Sequence, residues 1–158
     1  MKNIKYLVLD VDGTLTDGHI YMGQDGEMMK AFSAKDGYGI CHIGMPNGIT
    51  PVIITGRTSR IVENRAKELG ITEIYQGVGD KFSKLTEILE KTGVELSRCA
   101  YCGDDMNDYD CMKRIQDAGG LVGCPADACD EVIELADFVS KKDGGRGAVR
   151  EFIEWLVK

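Results

Sequence analysis

The feature that most constrains this chain is a run of four apolar residues, Tyr6-Leu7-Val8-Leu9, that ends directly on Asp10-Val11-Asp12-Gly13-Thr14. A strand with one wet face alternates apolar and polar residues. An unbroken apolar run predicts a strand covered on both faces, as in a parallel sheet between helical layers. Val52-Ile53-Ile54 and Ala100-Tyr101-Cys102 read the same way, and Leu121-Val122, Phe138-Val139 and Ile74-Tyr75 as weaker strands. Between them lie amphipathic stretches. Ser59 to Leu69 carries Ile61, Val62, Ala66 and Leu69 and stops at Gly70; Phe82 to Lys91 carries Phe82, Leu85, Ile88 and Leu89. Residues 130–136 and 148–157 read as helices, and Tyr38 to Met45 as another that ends before Pro46-Asn47-Gly48. Alternation of this kind predicts an α/β three-layer sandwich with a mainly parallel central sheet. Residues 17–33 break the pattern: Gly23-Gln24-Asp25-Gly26 between short apolar stretches predicts a β-hairpin, placed to flap over the first strand's acidic end.

A length of 158 residues fits a single domain, and neither repeats nor a linker interrupt it. The net charge of −7 argues against nucleic acid or an anionic membrane as partner. The apolar stretch after Met1-Lys2-Asn3-Ile4-Lys5 is too short for a signal segment, so a cytoplasmic location is expected. Cys99 and Cys102 have the C-x-x-C spacing of a zinc site. They fall on one predicted strand, which sends residues three apart to opposite faces. The six cysteines therefore read as reduced, partly buried thiols.

The residues able to do chemistry collect at the carboxyl ends of the predicted strands, where open α/β sheets bind ligands. Asp10 and Asp12 follow the first strand, Thr55, Gly56 and Arg57 the second, and Asp104, Asp105 and Asp108 the third; Lys81 begins the helix between. Neighbouring carboxylates resist joint ionisation unless a cation lies between them. Mg²⁺ takes one or two carboxylates plus waters and phosphate oxygens. Asp10 and Asp104, with the Asp12 carbonyl, are the expected ligands, and Asp105 and Asp108 support them or add to them. Asp10 can also attack phosphorus, Asp12 can serve as acid and then base, and Thr55, Lys81 and the amides near Gly13 and Gly56 can hold phosphoryl oxygens. Each has a plainer reading alone. Asp12-Gly13 is a turn signal, Asp104, Asp105 and Asp108 can cap a helix, and Lys81 and Arg57 can be solvated charges. Asp36 before Gly37 reads as a helix N-cap, Arg60 and Arg65 as helix-face charges, His19 and His42 as structural residues, and Met28, Met29 and Met45 as packing residues.

Together these stretches resemble the haloacid dehalogenase superfamily of phosphatases. Asp10-Val11-Asp12-Gly13-Thr14-Leu15-Thr16-Asp17-Gly18 is similar to its first motif, Thr55-Gly56 to the second, Lys81 to the third and Gly103-Asp104-Asp105-Met106-Asn107-Asp108 to the fourth. The gaps between motifs are too short for a cap domain, so the chain resembles the capless members. Asp17-Gly18, Lys35-Asp36-Gly37, Thr55-Gly56-Arg57, Leu69-Gly70-Ile71, Tyr75-Gln76-Gly77 and residues 144–151 narrow the likeness to the ulosonate-phosphate phosphatases. That resemblance implies a Mg²⁺-dependent phosphomonoester hydrolase working through an aspartyl phosphate. Its substrate would be a small acidic sugar phosphate: 3-deoxy-D-manno-octulosonate 8-phosphate, of lipopolysaccharide biosynthesis, or alternatively a nine-carbon sialic-acid-type 9-phosphate. It leaves a substrate role open for Asp36 and makes Arg57 the residue for the substrate's carboxylate. It also implies a homotetramer whose subunits replace the cap, with the glycine-rich segment 144–147 approaching a neighbour's site. Residues 115–130, with Cys124 and Cys129, depart from the family pattern. A phosphoacceptor receiver domain, a phosphomutase and a non-catalytic domain fit less well. A receiver places its phosphorylated Asp on a central strand where this chain has Thr55, a mutase must exclude water, and none of the motif residues is missing.

Overall fold

A computed structural model describes residues 2–158. The strands are β1 (Tyr6–Leu9), β2 (Tyr21–Gly23), β3 (Gly26–Met29), β4 (Thr50–Ile54), β5 (Glu73–Tyr75), β6 (Cys99–Cys102), β7 (Leu121–Cys124) and β8 (Phe138–Val139). The helices are α1 (Ala34–Tyr38), α2 (Arg60–Glu68), α3 (Lys81–Thr92), α4 (Met106–Asp117), α5 (Asp130–Leu135) and α6 (Ala148–Leu156). Six strands form one parallel sheet in the order β5-β4-β1-β6-β7-β8, and β2-β3 form a separate antiparallel hairpin. From β1 the chain moves outward to β4 and β5, then returns to β6 on the other side. The connections therefore diverge between β1 and β6, which opens a crevice at their carboxyl ends. Leu9 pairs with both Ile53 and Cys102, so the residues that follow these strands emerge side by side.

The apolar runs do what their lack of alternation predicts. Leu7 and Leu9 join one core with Ile40, Ile53, Cys102, Phe152 and Ile153. Tyr6 and Val8 join the other with Val52, Ile54, Leu85, Tyr101, Met112 and Ile115. Cys99 and Cys102 fall in different cores, which rules out a shared zinc ion for that pair. The six cysteines are free thiols. Residues 115–130 take an ordinary place, as the end of α4, the strand β7 and the start of α5. Among the described residues no helix is long and apolar enough to cross a membrane.

The expected helix over 38–45 begins earlier and is not uniform. Ser33 accepts from the Lys35 amide and starts α1 at Ala34; the chain then widens into a π-turn over Gly39–Gly44 and tightens into a 3-10 turn over Met45–Asn47. Gly37 and Gly39 hide this start, because glycine is a poor helix former. Asp36 is thus not an N-cap for its own helix. It lies inside α1, and its carboxylate accepts from the Arg150 amide at 2.9 Å. The N-cap position of α6 is Gly147, which has no side chain to offer, so Asp36 caps that helix from across the fold. Asp36 is 2% exposed and does not line the cleft described below. Arg65 also differs from expectation: it lies over the Phe32 ring and reaches the Ser33 carbonyl, bracing the start of α1.

Close approach explains Gly144 and Gly145, which follow β8. A Cβ on Gly144 would lie 1.9 Å from the Gly13 carbonyl oxygen, and the Gly145 amide donates to the Thr14 carbonyl at 3.1 Å. The segment expected to reach a neighbour's site thus supports this chain's own loop after β1.

Burial pushes the Asp36 carboxyl up to about 6, against the pull of the α6 amides. Its second oxygen finds no partner among the described residues. The folded state therefore holds this proton more tightly than the unfolded chain does. The sign follows: the stability linked to Asp36 is full below about pH 4 and declines by on the order of 3 kcal/mol as pH rises through the folded value. Asp36→Asn keeps an acceptor for the Arg150 amide and removes the charge. Denaturant unfolding across pH should show wild-type stability, relative to this variant, falling between about pH 4 and pH 6 and level above that. A pH-independent difference would contradict the assignment.

Candidate active site

Asp10 follows β1, Thr55 follows β4, and Gly103-Asp104 follow β6. Parallel register brings them to one edge, on an open cleft of about 410 Å³. Asp10, Asp12, Thr55, Gly56, Arg57 and Asp104 line it, with Gly18, Asp105, Met106 and Asn107. Lys81 and Asp108 do not line the cleft; both are buried beneath it, and Lys81 reaches Asp10 from there.

Lys81 is the first residue of α3, whose start is fixed by the Asp80 carboxylate accepting from the Ser83 amide. Its side chain is 2% exposed, and Nζ donates to Asp10 Oδ1 at 3.0 Å and to Asp108 Oδ1 at 2.8 Å. Burial works against the Lys81 charge, but Asp10 and Asp108 outweigh it and raise its pKa. Asp108 is fully engaged. Its Oδ1 also accepts from the Tyr101 hydroxyl at 2.7 Å, and its Oδ2 from the amides of Asp104 at 2.9 Å and Asp105 at 3.3 Å. It forms a capping box with Asp105 at the start of α4. Asp108 therefore caps α4, as one sequence reading has it, and also braces Lys81 and Tyr101, so both its oxygens already accept hydrogen bonds.

Asp10, Asp104 and Asp108 each place a carboxylate oxygen within 4.8 Å of the others. Lys81 neutralises Asp10 and Asp108 only in part. Burial, then the charge of Asp108, holds the Asp10 carboxyl well above the usual carboxylate range. The same causes push Asp104 up to about 7. Such a pair lacks a positive charge, and oxygen donors of this kind suit a hard divalent cation such as Mg²⁺. With Asp108 engaged, the oxygens left for it are those of Asp10 and Asp104. Asp104 is aimed by the Thr14 hydroxyl, which donates to its Oδ1 at 2.9 Å. Gly13 makes room: its φ is +91°, and a Cβ there would fall 1.9 Å from Asp104 Oδ2. Only glycine meets both demands.

Residues not singled out in the sequence complete the rim. Lys30 Nζ donates to Asp12 Oδ1 at 2.6 Å and stands 3.0 Å from Glu27 Oε2, with its own side chain 1% exposed. Glu27 also accepts from the Ser59 hydroxyl at 2.8 Å and faces Arg57 at 3.6 Å. Burial would raise the Glu27 carboxyl, but the Ser59 and Lys30 hydrogen bonds bring it below the usual range. The sequence signal for this group is faint, because Glu27 and Lys30 gain their partners only when the hairpin folds back over β1. The hairpin corrects a further expectation. Met28 and Met29, read as packing residues, are exposed, together with Ile20 and Met22; Met45 packs against the core.

A parallel sheet with an Asp-x-Asp loop, a strand-end Thr, a buried Lys and a downstream acidic cluster around one cleft defines a class. The haloacid dehalogenase-like hydrolase family matches residues 69–153, and the chain belongs to that family. It is also 45% identical to the 3-deoxy-D-manno-octulosonate 8-phosphate phosphatase of Escherichia coli (strain K12), over 99% of this chain and 80% of that protein. The crystal structure of the Moraxella catarrhalis phosphatase of the same name, in complex with magnesium, phosphate and KDO, superimposes with a TM-score of 0.90. Its identity is 42%, over 99% of this chain and 86% of that one. The cobalt-bound Haemophilus influenzae phosphatase gives a TM-score of 0.90 at 33% identity, over 99% and 88% of the two chains.

Replacing Lys81 with methionine keeps the bulk and leaves two buried carboxylates without their shared cation. Lys81→Met is expected to lose on the order of 3 kcal/mol in stability at neutral pH, read by denaturant unfolding. Asp10→Asn at the same site should lose much less, since it removes a charge where Lys81→Met strands two.

Proposed function

We propose that this chain is a Mg²⁺-dependent phosphomonoester hydrolase acting on 3-deoxy-D-manno-octulosonate 8-phosphate. The observation that carries the reading is the meeting of Asp10 and Asp104 on the floor of one cleft, with Lys81 donating to Asp10 from beneath. The 45% identity to a phosphatase of that substrate supports the same choice. The catalytic residues are Asp10, Asp12, Thr55 and Lys81, within one domain over residues 1–158. The metal ligands are the carboxylates of Asp10 and Asp104 and the backbone carbonyl of Asp12. When bound, Mg²⁺ would draw Asp10 and the phosphate together and offset their negative charge.

An Asp10 oxygen attacks phosphorus, and the bond from phosphorus to the sugar oxygen breaks. Asp12 gives its proton to that leaving oxygen. Water then attacks the aspartyl phosphate while Asp12 takes the water's proton; the Asp10–phosphorus bond breaks and phosphate leaves. Lys81 holds Asp10 in place, which matters because phosphoryl transfer depends mainly on positioning and charge stabilisation. Thr55 and the amide of Gly56 hold phosphoryl oxygens. Arg57, half-exposed on the rim, receives the substrate's carboxylate through paired N–H donors.

Phosphate release should be measured with Mg²⁺ from a panel of 3-deoxy-D-manno-octulosonate 8-phosphate, sialic-acid-type 9-phosphates and plain sugar phosphates. The octulosonate ester should dominate, and Asp10→Asn should lose at least about 10³-fold in kcat. Dominance of a nine-carbon ester would move the substrate assignment; activity surviving in Asp10→Asn would end the nucleophile assignment. Chelation should abolish turnover and Mg²⁺ restore it.

The working form is proposed to be a cytoplasmic homotetramer. The cleft is open and capless, and Ile20, Met22, Met28 and Met29 are apolar yet exposed on the hairpin beside it. An apolar patch of this kind commonly marks a protein contact. Sedimentation of the wild type should give a tetramer, and Met22→Lys/Met28→Glu a smaller species. A wild-type monomer would refute the assembly.

A further inference from the structure

Glu27 and Lys30 join the hairpin to the cleft. Glu27 Oε1 accepts from the Ser59 hydroxyl at 2.8 Å, while Oε2 stands 3.0 Å from Lys30 Nζ and 3.6 Å from Arg57 Nη2. Lys30 continues to Asp12 Oδ1 at 2.6 Å, and Arg57 Nε lies 4.0 Å from Asp12 Oδ2. Two carboxylates and two cations thus close a ring across the loop after β1, the hairpin and the loop after β4. Its Lys30 and Glu27 side chains are 1% and 14% exposed.

Ser59 gives a second, independent sign that the link is built. It occupies the N-cap position of α2, where a serine oxygen ordinarily accepts from the helix's own amides. Its hydroxyl instead donates outward to Glu27. Arg57 is the mobile member, with a side chain 50% exposed. Glu27 and Asp12 face its Nη2 and Nε, and the other guanidinium donors remain for a ligand.

We infer that Glu27 is a positioning residue: it clamps the hairpin to the rim of the cleft and holds Arg57 in the orientation that receives the substrate's carboxylate. The inference rests on the ulosonate-phosphate reading above. A long, half-exposed arginine samples many rotamers, and ordering it on binding weakens affinity. An arginine already held by Glu27 loses less. A substrate that carries a carboxylate gains from this, and one without it gains little.

The test compares wild type with Glu27→Gln on 3-deoxy-D-manno-octulosonate 8-phosphate and on para-nitrophenyl phosphate, alongside amide hydrogen exchange over residues 21–29 of the full chain. Glutamine keeps the length and an acceptor for Ser59 but removes the charge facing Lys30 and Arg57. The KM for the octulosonate ester should rise about tenfold. The KM for the phenyl ester should change several-fold less, any fall in kcat should be common to both, and exchange in the hairpin should quicken. Equal KM changes on both esters, or unaltered KM with unaltered exchange, would overturn the inference. If wild type shows no preference for the carboxylated ester, the fault lies with the substrate reading. Exchange then judges the clamp alone: faster exchange upholds it and unchanged exchange removes it.

Discussion

One buried ammonium holds this site together. Lys81 sits between Asp10 and Asp108, both nearly inaccessible to water, and each carboxylate belongs to a different part of the fold. Neither could stay charged in a dry interior without a partner. The ion pairs therefore fix β1, the start of α3 and the start of α4 relative to one another. Asp108 extends the lock through Tyr101 and the amides of Asp104 and Asp105. A charge network of this kind adds little stability over an apolar replacement, but losing one member is costly. What it supplies here is placement: Asp10 cannot turn away from the cleft while Lys81 holds it.

The network leaves a deliberate imbalance. Asp104 is placed beside Asp10 by Thr14 and by the space Gly13 vacates, and no protein cation neutralises it among the described residues. A site built to bind a divalent cation needs this surplus of negative charge. The same surplus, with a further dianionic phosphate, would repel substrate in the cation's absence. Metal binding and substrate binding are therefore coupled by charge alone.

The rim follows a different logic from the floor. Below, Lys81, Asp108 and Tyr101 are buried and hydrogen-bonded to one another. Above, the β2-β3 hairpin lies beside an open cleft and shows Met22, Met28 and Met29 to solvent. A capless hydrolase must still shape its cleft around a substrate, and the hairpin is the element placed to do so. Glu27 and Lys30 face the site, while these apolar side chains face solvent.

The layers and the chemistry of the floor were legible in residue type and order. Unbroken runs such as Tyr6–Leu9 could only be strands buried twice, and parallel strands put Asp10, Thr55 and Asp104 at one edge. Lys81 and the acidic cluster followed from residue type and order. Whatever depended on distant neighbours came from the folded arrangement. Asp36 looked like the cap of its own helix and is the cap of α6, 114 positions away in sequence at Arg150. Met28 and Met29 read as packing residues and are exposed; they alternate in direction along β3, so both faces of the hairpin are open there. Lys30 and Glu27 drew no reading from the sequence, and the fold tucks both side chains into the rim. Period and composition report which face an element hides, but a side chain's partner across the fold leaves no mark in its local sequence.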